Sequence, residues 1–324
     1  MEKLISIIVP MYFEEEVAQE CYNCLKSVML QNNINYEFIF VNDGSTDRTM
    51  EILKGISAED SRAKIINFAR NFGHQIAVTA GIDVAKGDAM VIIDADLQDP
   101  PEVIPELIAK WEEGYEVVYA KRKRREGETW FKLVTAKYFY RFLNVMSDIN
   151  IPKDAGDFRL IDCKVADVFK QMTERNRFVR GMMSWIGFRQ TYIEYVRNER
   201  FAGETKYPLK KMLRFASDGI IAFSTKPLRM VMTLGLISVL ISIAVLIYSV
   251  IVKLIGQDIQ TGWASLMVAI TFFSGVQLLG LGIVSQYIAR IYDESKNRPI
   301  YVVKETVNIE EDIAVDDKDK LNKS

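Results

Sequence analysis

Two carboxylates one residue apart, Asp94 and Asp96, close a short apolar run in this 324-residue chain. Alternate residues of an extended backbone point the same way, so Asp94-Ala95-Asp96 can turn both acids on one site. Acids that close repel unless a cation lies between them. Hard oxygen donors suit Mg2+ or Mn2+, which also bridge diphosphate oxygens, and Gln98 adds a neutral oxygen to the set. Two more polar clusters follow apolar runs in the same way: Pro10-Met11-Tyr12-Phe13-Glu14-Glu15-Glu16 and Asn42-Asp43-Gly44-Ser45-Thr46-Asp47. The Asp-Gly pair reads as a turn, and Ser45 or Thr46 as a helix cap. Capping accounts for the hydroxyls but not for acids recurring at three run ends. The clusters therefore read as one binding edge.

An edge of that kind needs strands that end together. Leu4–Val9, Tyr36–Val41, Lys64–Phe68, Ala89–Ile93 and Glu116–Ala120 read as buried strands. Between them lie helical patterns at Glu14–Leu30, Asp47–Ser57, His74–Ala85 and Pro101–Glu113. This alternation predicts an α/β, Rossmann-like domain with a mainly parallel sheet and helices on both faces. In such sheets ligands sit at the carboxyl ends of the strands, where the three clusters fall.

A net charge of −2 gives no general affinity for nucleic acid, and there is no extended basic face or known nucleic-acid module. The cations are uneven: Lys121-Arg122-Lys123-Arg124-Arg125 follows the fifth strand, and the tail after Val303 is mostly acidic. The basic run reads as a solvated loop, as a contact for anionic lipid headgroups or, through Arg122, as a contact for a phosphate group. Three cysteines suit a reducing compartment, and Cys21-Tyr22-Asn23-Cys24 reads as structural because no second pair completes a zinc site. The single histidine, His74, opens a helix and reads as local structure or a pocket wall.

Met230–Val252 is 23 residues without a charge and Trp263–Ala289 is another 27, each long enough to cross a bilayer. Lys226 and Arg229 before the first, and Arg290, Lys296 and Arg298 after the second, predict a two-pass protein of the cell membrane. Both termini and the catalytic domain would be cytoplasmic. Gly275, Gly280 and Gly282 allow close helix approach in the second span. Trp130–Met146 and Leu209–Phe223 mix cations with aromatic and aliphatic side chains, as amphipathic helices at a headgroup boundary do. The predicted division is a catalytic domain at 1–205, an interface helix at 206–226, a transmembrane hairpin at 227–292 and a tail at 293–324.

Taken in order, the clusters resemble the inverting GT-A glycosyltransferases of family 2. Asn71-Phe72-Gly73, Gly87-Asp88-Ala89, Asp94-Ala95-Asp96-Leu97-Gln98-Asp99-Pro100-Pro101, Gly156-Asp157-Phe158-Arg159-Leu160, Arg177-Phe178-Val179-Arg180-Gly181 and Arg200-Phe201-Ala202-Gly203-Glu204-Thr205-Lys206-Tyr207 extend the resemblance. It narrows to the polyprenyl-phosphate branch typified by dolichol-phosphate-mannose synthases and, with the two spans, to bacterial bactoprenol glucosyltransferases. One departure is Phe13, where the family usually carries Asn. The Gln-x-x-Arg-Trp motif of processive polysaccharide synthases is absent.

The resemblance implies a nucleotide-sugar donor, a polyprenyl phosphate acceptor and an Mg2+ or Mn2+ cofactor. It implies that Pro10, Tyr12, Glu14 and Asp43 hold the nucleotide, and that Asp94, Ala95 and Asp96 face the donor diphosphate. Asp96 and Gln98 would bind the metal. Asp157 matches the position regarded as the catalytic acidic residue, and Arg200, Lys206 and Tyr207, with Arg122 of the basic run, would bind the acceptor and its phosphate. Glucose from UDP-glucose is the first donor reading, with GDP-mannose, UDP-galactose, UDP-aminosugars and 4-amino-arabinose derivatives as alternatives. A catalytically silent membrane scaffold is the alternative of another class. Homo-oligomers, tetramers among them, occur in the family. A separate flippase and a downstream transferase are the other expected partners.

Overall fold

The structure, a computed structural model, describes residues 3–123, 155–197, 224–255 and 262–309. Its chain forms two compact units: Met1–Leu133 with Ile151–Lys206 and Arg298–Ser324, and Val134–Asn150 with Tyr207–Asn297.

The first unit is built on β1 (Leu4–Met11), whose residues from Ile5 onward are all buried. A strand apolar on both faces belongs in the middle of a covered parallel sheet. β1 lies between β2 (Asn35–Asn42) and β4 (Ala89–Ile92), parallel to both, and β3 (Ala63–Phe68) continues the parallel run beyond β2. Crossovers run through α1 (Ala18–Gln31), α2 (Thr49–Glu59) and α3 (His74–Val84). Tyr36, Phe38 and Phe40 are fully buried on one face of β2, where their rings lie tilted on one another, and Phe38 and Phe40 meet Tyr22 of α1 edge to face. Phe38→Ala would cost about 3–5 kcal/mol through lost burial and the cavity left behind.

After a 3-10 turn at Pro101–Val103, α4 (Ile104–Glu112) leads to β5 (Val117–Arg122). β6 (Ala155–Asp162) then inserts between β4 and β5, antiparallel to both. α5 (Cys163–Gln171) and α6 (Val179–Ile186) precede β7 (Gln190–Tyr195), which pairs parallel to β5. The last strand among the described residues is β8 (Val303–Val307), antiparallel to β3, in a stretch where the sequence reading expects only an acidic tail. The sheet order is β7-β5-β6-β4-β1-β2-β3-β8. The expected mainly parallel α/β sheet is present, in the GT-A-like arrangement, with antiparallel insertions at β6 and β8.

Two details refine the sequence reading. The fifth strand runs on through Lys121 and Arg122, so the basic run begins inside the sheet. There Lys121 pairs with its register partner Glu194 at 2.9 Å. Cys21 is buried in α1 and Cys24 half-buried, both are free thiols, and burial pushes both thiols up, away from the thiolate that redox or metal chemistry needs.

The second unit contains α7 (Lys226–Leu254) and α8 (Trp263–Ser295), both long and apolar enough to be candidate membrane spans. Leu236, Leu240, Leu278 and Leu279 are exposed on them, as lipid-facing residues are. A Cβ at Gly280 would lie 2.9 Å from the Val231 side chain, so this glycine lets the two helices touch; Gly275 and Gly282 have open space around them. The Tyr287 hydroxyl donates to the Ser224 carbonyl at 2.7 Å. The expected amphipathic segments Trp130–Met146 and Leu209–Phe223 lie outside the described residues.

Candidate active site

β1 and β2 end side by side, Met11 opposite Asn42. The loops that leave them are stitched together. The Phe13 N–H donates to Ser45 Oγ (3.1 Å), the Glu14 N–H to Thr49 Oγ1 (3.0 Å), and the Arg48 N–H to the Glu15 carboxylate (2.9 Å). Asp43 is 3% exposed, and its carboxylate accepts from the Phe72 and Gly73 N–H groups (2.6 and 2.9 Å) and the Asn71 amide (2.9 Å). Burial raises its pKa, and those N–H groups only partly offset the rise. Gly44 has φ +69°, and a Cβ there would meet the Arg70 carbonyl carbon at 2.4 Å, so only glycine lets the two loops close on each other. Pro10 and Ala95 are buried in the floor, while Tyr12 and Phe13 are each 41% exposed at the rim with their rings edge to face.

A second group forms where β4 meets β6. Ile92 pairs with Arg159, so the same antiparallel register carried two residues further sets Asp94 opposite Asp157. His74, the first residue of α3, places Nε2 3.6 Å from Asp94 and 3.4 Å from Asp157. Arg180, in the first turn of α6, forks onto Asp157: Nε donates at 2.8 Å to one oxygen and Nη2 at 3.1 Å to the other. Arg159 approaches the same carboxylate at 3.8 Å and donates to the backbone carbonyls of Gly156 and Asp157.

The charges alternate along this row, and the pKa values follow. Burial works against ionisation of Asp157, but Arg180 and His74 hold its carboxyl well below the usual carboxylate range. Burial also opposes protonation of His74, and Asp94 and Asp157 overcome it, raising the imidazole to about 9. Asp94 is shifted upward by burial and by the acids around it, against the pull of His74. At neutral pH the row therefore carries an imidazolium between two acids, one of them firmly ionised.

A third group is centred on Asp99, which is fully buried. The Tyr195 hydroxyl hydrogen-bonds to it, with Arg197 Nε at 3.4 Å and Arg122 Nη2 at 3.7 Å. Arg122 also donates to the Tyr195 oxygen (3.2 Å) and packs against Gly156, next to Asp157. One acid thus holds two guanidinium groups, a cationic excess beside the Asp94–Asp157 row.

The residues fit a divalent cation shared with a substrate. One oxygen of Asp94 is buried and makes no hydrogen bond among the described residues, its charged neighbour being the His74 imidazole at 3.6 Å. Asp96 turns its oxygen onto the Gln98 N–H (3.2 Å), and Leu97 takes φ +54° to close that turn. No group of three His, Cys, Asp or Glu side chains gathers around one point among the described residues. A site with so few protein ligands suits a hard cation whose remaining positions go to phosphate oxygens and water.

The structure thus brings Pro10, Tyr12, Glu14, Asp43, Asp94, Ala95, Asp96, Gln98, Arg122 and Asp157 to one edge of the sheet. Arg200, Lys206 and Tyr207 lie outside the described residues. His74, expected as local structure or a pocket wall, lies between Asp94 of the loop after β4 and Asp157 of β6. The structure also brings in Arg180, Asp99, Tyr195 and Arg197. Arg180 belongs to a run that carried the family resemblance. Arg197 and Tyr195 carried no local signal.

Residues 6–169 match the family model described as Glycosyl transferase family 2. An uncharacterized glycosyltransferase of Bacillus subtilis (strain 168) is 58% identical over 308 residues, covering 94% of each chain. The bactoprenol glucosyl transferase of Shigella phage SfV is 41% identical over 300 residues, 93% of this chain and 98% of its own. Among solved structures, mannosyl-3-phosphoglycerate synthase from Rubrobacter xylanophilus is similar with a TM-score of 0.45 and 15% identity, over 67% of this chain and 71% of that one.

Proposed function

This chain belongs to glycosyl transferase family 2, and from that premise we propose that it transfers glucose from UDP-glucose to polyprenyl phosphate, with inversion, at the cytoplasmic face of the cell membrane. What carries the reading is the join of two features in one chain. An acid-lined sheet edge suits a nucleotide diphosphate, and 41% identity to a bactoprenol glucosyl transferase runs through both apolar helices.

The loops after β1 and β2 would hold the nucleoside, with Tyr12 and Phe13 at its rim and Pro10, Glu14 and Asp43 behind them. Asp96 and Gln98 would hold Mg2+ or Mn2+, which supplies charge neutralisation for the departing diphosphate. An oxygen of the acceptor phosphate forms the new bond to the anomeric carbon as the bond from that carbon to the diphosphate breaks. The two events on opposite faces invert the centre. A lipid phosphate is already ionised at neutral pH, so no strong base is required. A carboxylate held as far down as Asp157 is a poor one in any case. Asp157 therefore acts by fixing two cations, His74 and Arg180, at the reaction centre. Arg122, joined by Arg200, Lys206 and Tyr207, would receive the acceptor phosphate.

In this reading α7 and α8 form a two-pass anchor with both termini cytoplasmic. The protein would act as a homo-oligomer, and a separate flippase and a downstream transferase would take up the product. The test is purified protein with Mg2+ or Mn2+, undecaprenyl phosphate and a panel of labelled nucleotide sugars. Label entering the organic phase from UDP-glucose alone supports the full proposal. Label from GDP-mannose or another donor replaces the sugar, and no label from any donor favours a silent scaffold.

A further inference from the structure

The C-terminal strand reaches the donor loop through a chain of side chains. Asn42 of β2 pairs with Asn67 of β3, and Asn67 pairs in turn with Glu305 of β8. These three register partners form a polar row across the sheet, level with Met11 at the end of β1. The hydrogen bonds along it run head to tail. The Phe13 N–H donates to Ser45 Oγ (3.1 Å), and the Ser45 hydroxyl donates to Asn42 Oδ1 (2.5 Å). The Asn42 amide donates to Asn67 Oδ1 (2.9 Å), and the Asn67 amide donates to Glu305 Oε1 (2.9 Å).

The direction is imposed from the Glu305 end. A carboxylate only accepts, so Asn67 must turn its NH2 toward it. That leaves the Asn67 oxygen for the Asn42 NH2, the Asn42 oxygen for the Ser45 hydroxyl, and a Ser45 lone pair for the Phe13 N–H. Asn42 is fully buried and Asn67 is 5% exposed, so water cannot readily replace a lost partner in the middle of the row. Lys54 holds the other Glu305 oxygen at 2.8 Å and keeps the carboxylate ionised below its usual range. The β3–β8 register shifts between Asn67 and Phe68, and this irregularity lies beside the Glu305 contact. Tyr301 pins the same segment by stacking on Phe68 and donating to Asp83 at 2.9 Å.

We propose that Glu305 is a positioning residue for the nucleotide donor: strand β8, which follows the apolar helices in sequence, sets the Phe13 backbone through Asn67, Asn42 and Ser45. This rests on assigning the Tyr12–Glu14 loop to the donor. The experiment compares the full-length Glu305→Ala, Glu305→Gln and Lys54→Ala proteins in detergent, reading donor KM, acceptor KM, thermal unfolding and hydrogen exchange at the Phe13 amide without ligand. Glu305→Ala is expected to speed Phe13 exchange and raise donor KM about fivefold while leaving acceptor KM alone. Glu305→Gln keeps an acceptor oxygen and is expected to behave as wild type. Lys54→Ala removes the exposed ion pair but not the row, and is expected to leave donor KM unchanged.

Unchanged Phe13 exchange and donor KM in Glu305→Ala would overturn the proposal, as would an equal rise of donor KM in Lys54→Ala. If Glu305→Ala speeds Phe13 exchange but neither it nor Tyr12→Ala moves donor KM, the donor assignment fails and the row stands. Should Glu305→Ala not fold, Ser45→Ala tests the other end. The proposal requires the Ser45→Ala/Glu305→Gln double variant to match Ser45→Ala in donor KM, and a further rise in the double variant would overturn it.

Discussion

The two sides of the sheet edge solve the same problem with different chemistry. On the β1–β2–β3 side polar groups are met mostly by neutral partners: Asp43 by backbone N–H groups and an amide, and Ser45, Asn42 and Asn67 by one another. On the β4–β6–β5 side charges are met by charges: Asp157 by Arg180 and His74, and Asp99 by Arg122 and Arg197. A row that is neutral except at its Glu305 end is shaped before any ligand arrives and gives a rigid seat. An ionic row is only partly compensated, and it responds strongly to the charge that a substrate brings. The first side suits binding of an unchanging nucleoside, and the second suits a diphosphate whose charge grows as it leaves.

The strongest way to break this contrast is Asp157→Asn. The amide keeps the shape but leaves Arg180 and His74 facing each other with no anion between them. Turnover should fall roughly 100- to 1,000-fold while donor affinity changes by less than about threefold. Steady-state rates set against donor binding by calorimetry decide it. Near-normal turnover would mean that the ionic side is structural.

Next in size is the metal. Chelation should take activity to background, with recovery on adding Mn2+ or Mg2+. Asp96→Ala should raise the metal concentration needed for half-maximal rate by roughly 10- to 100-fold. An Asp96→Ala protein with an unchanged metal requirement would move the cation site elsewhere. The expected losses confined to Asp96, with Asp43→Asn sparing the metal requirement, would sharpen the division between the two sides.

His74 gives a smaller effect with a distinctive pH dependence. Its folded pKa of about 9 lies above its ordinary value of 6.5, so the stability it adds is present in full below about 6.5 and is lost as pH rises through about 9. Asp157 has the opposite sign, since its depressed pKa adds stability above the ordinary value that disappears only in strong acid. The melting temperature of wild type should exceed that of His74→Gln at pH of about 6, and the gap should close by a pH of about 10. A gap independent of pH would show that the imidazolium is not what links Asp94 to Asp157.

The same contrast explains what could be read in advance. β1 to β4 are predominantly apolar runs with helices between them, so local pattern and tertiary role agree. The acids at their ends stand at spacings that already imply a metal and a diphosphate. β6 mixes buried Phe158 and Leu160 with Gly156, Asp157 and a buried Arg159, so its pattern does not announce a central strand. β7 and β8 are half-exposed, with polar residues that pair across strands rather than fill a core. The opposition of Asp94 and Asp157 depends on β6 inserting antiparallel between β4 and β5, which no local period encodes. Asp157 was therefore visible only through resemblance, and Arg180 and Glu305 as partners only through the fold.

The smallest effect tests whether the neutral side is as settled as its hydrogen bonds suggest. Phe13 holds φ +56°, a left-handed conformation that Asn tolerates and a bulky side chain does not. The strain is about 1–2 kcal/mol, and the ring recovers part of it, about 0.5–1.5 kcal/mol, against Tyr12. Phe13→Asn should therefore stabilise the protein by about 0.5 kcal/mol, a small rise in melting temperature. If the donor nucleoside sits where we propose, this exposed aromatic pair offers it stacking surface. The same variant should raise donor KM about two- to threefold with turnover unchanged, the mark of lost uniform binding. Greater stability with an unchanged donor KM would make Phe13 a tolerated exchange and leave Tyr12 as the aromatic that the donor meets.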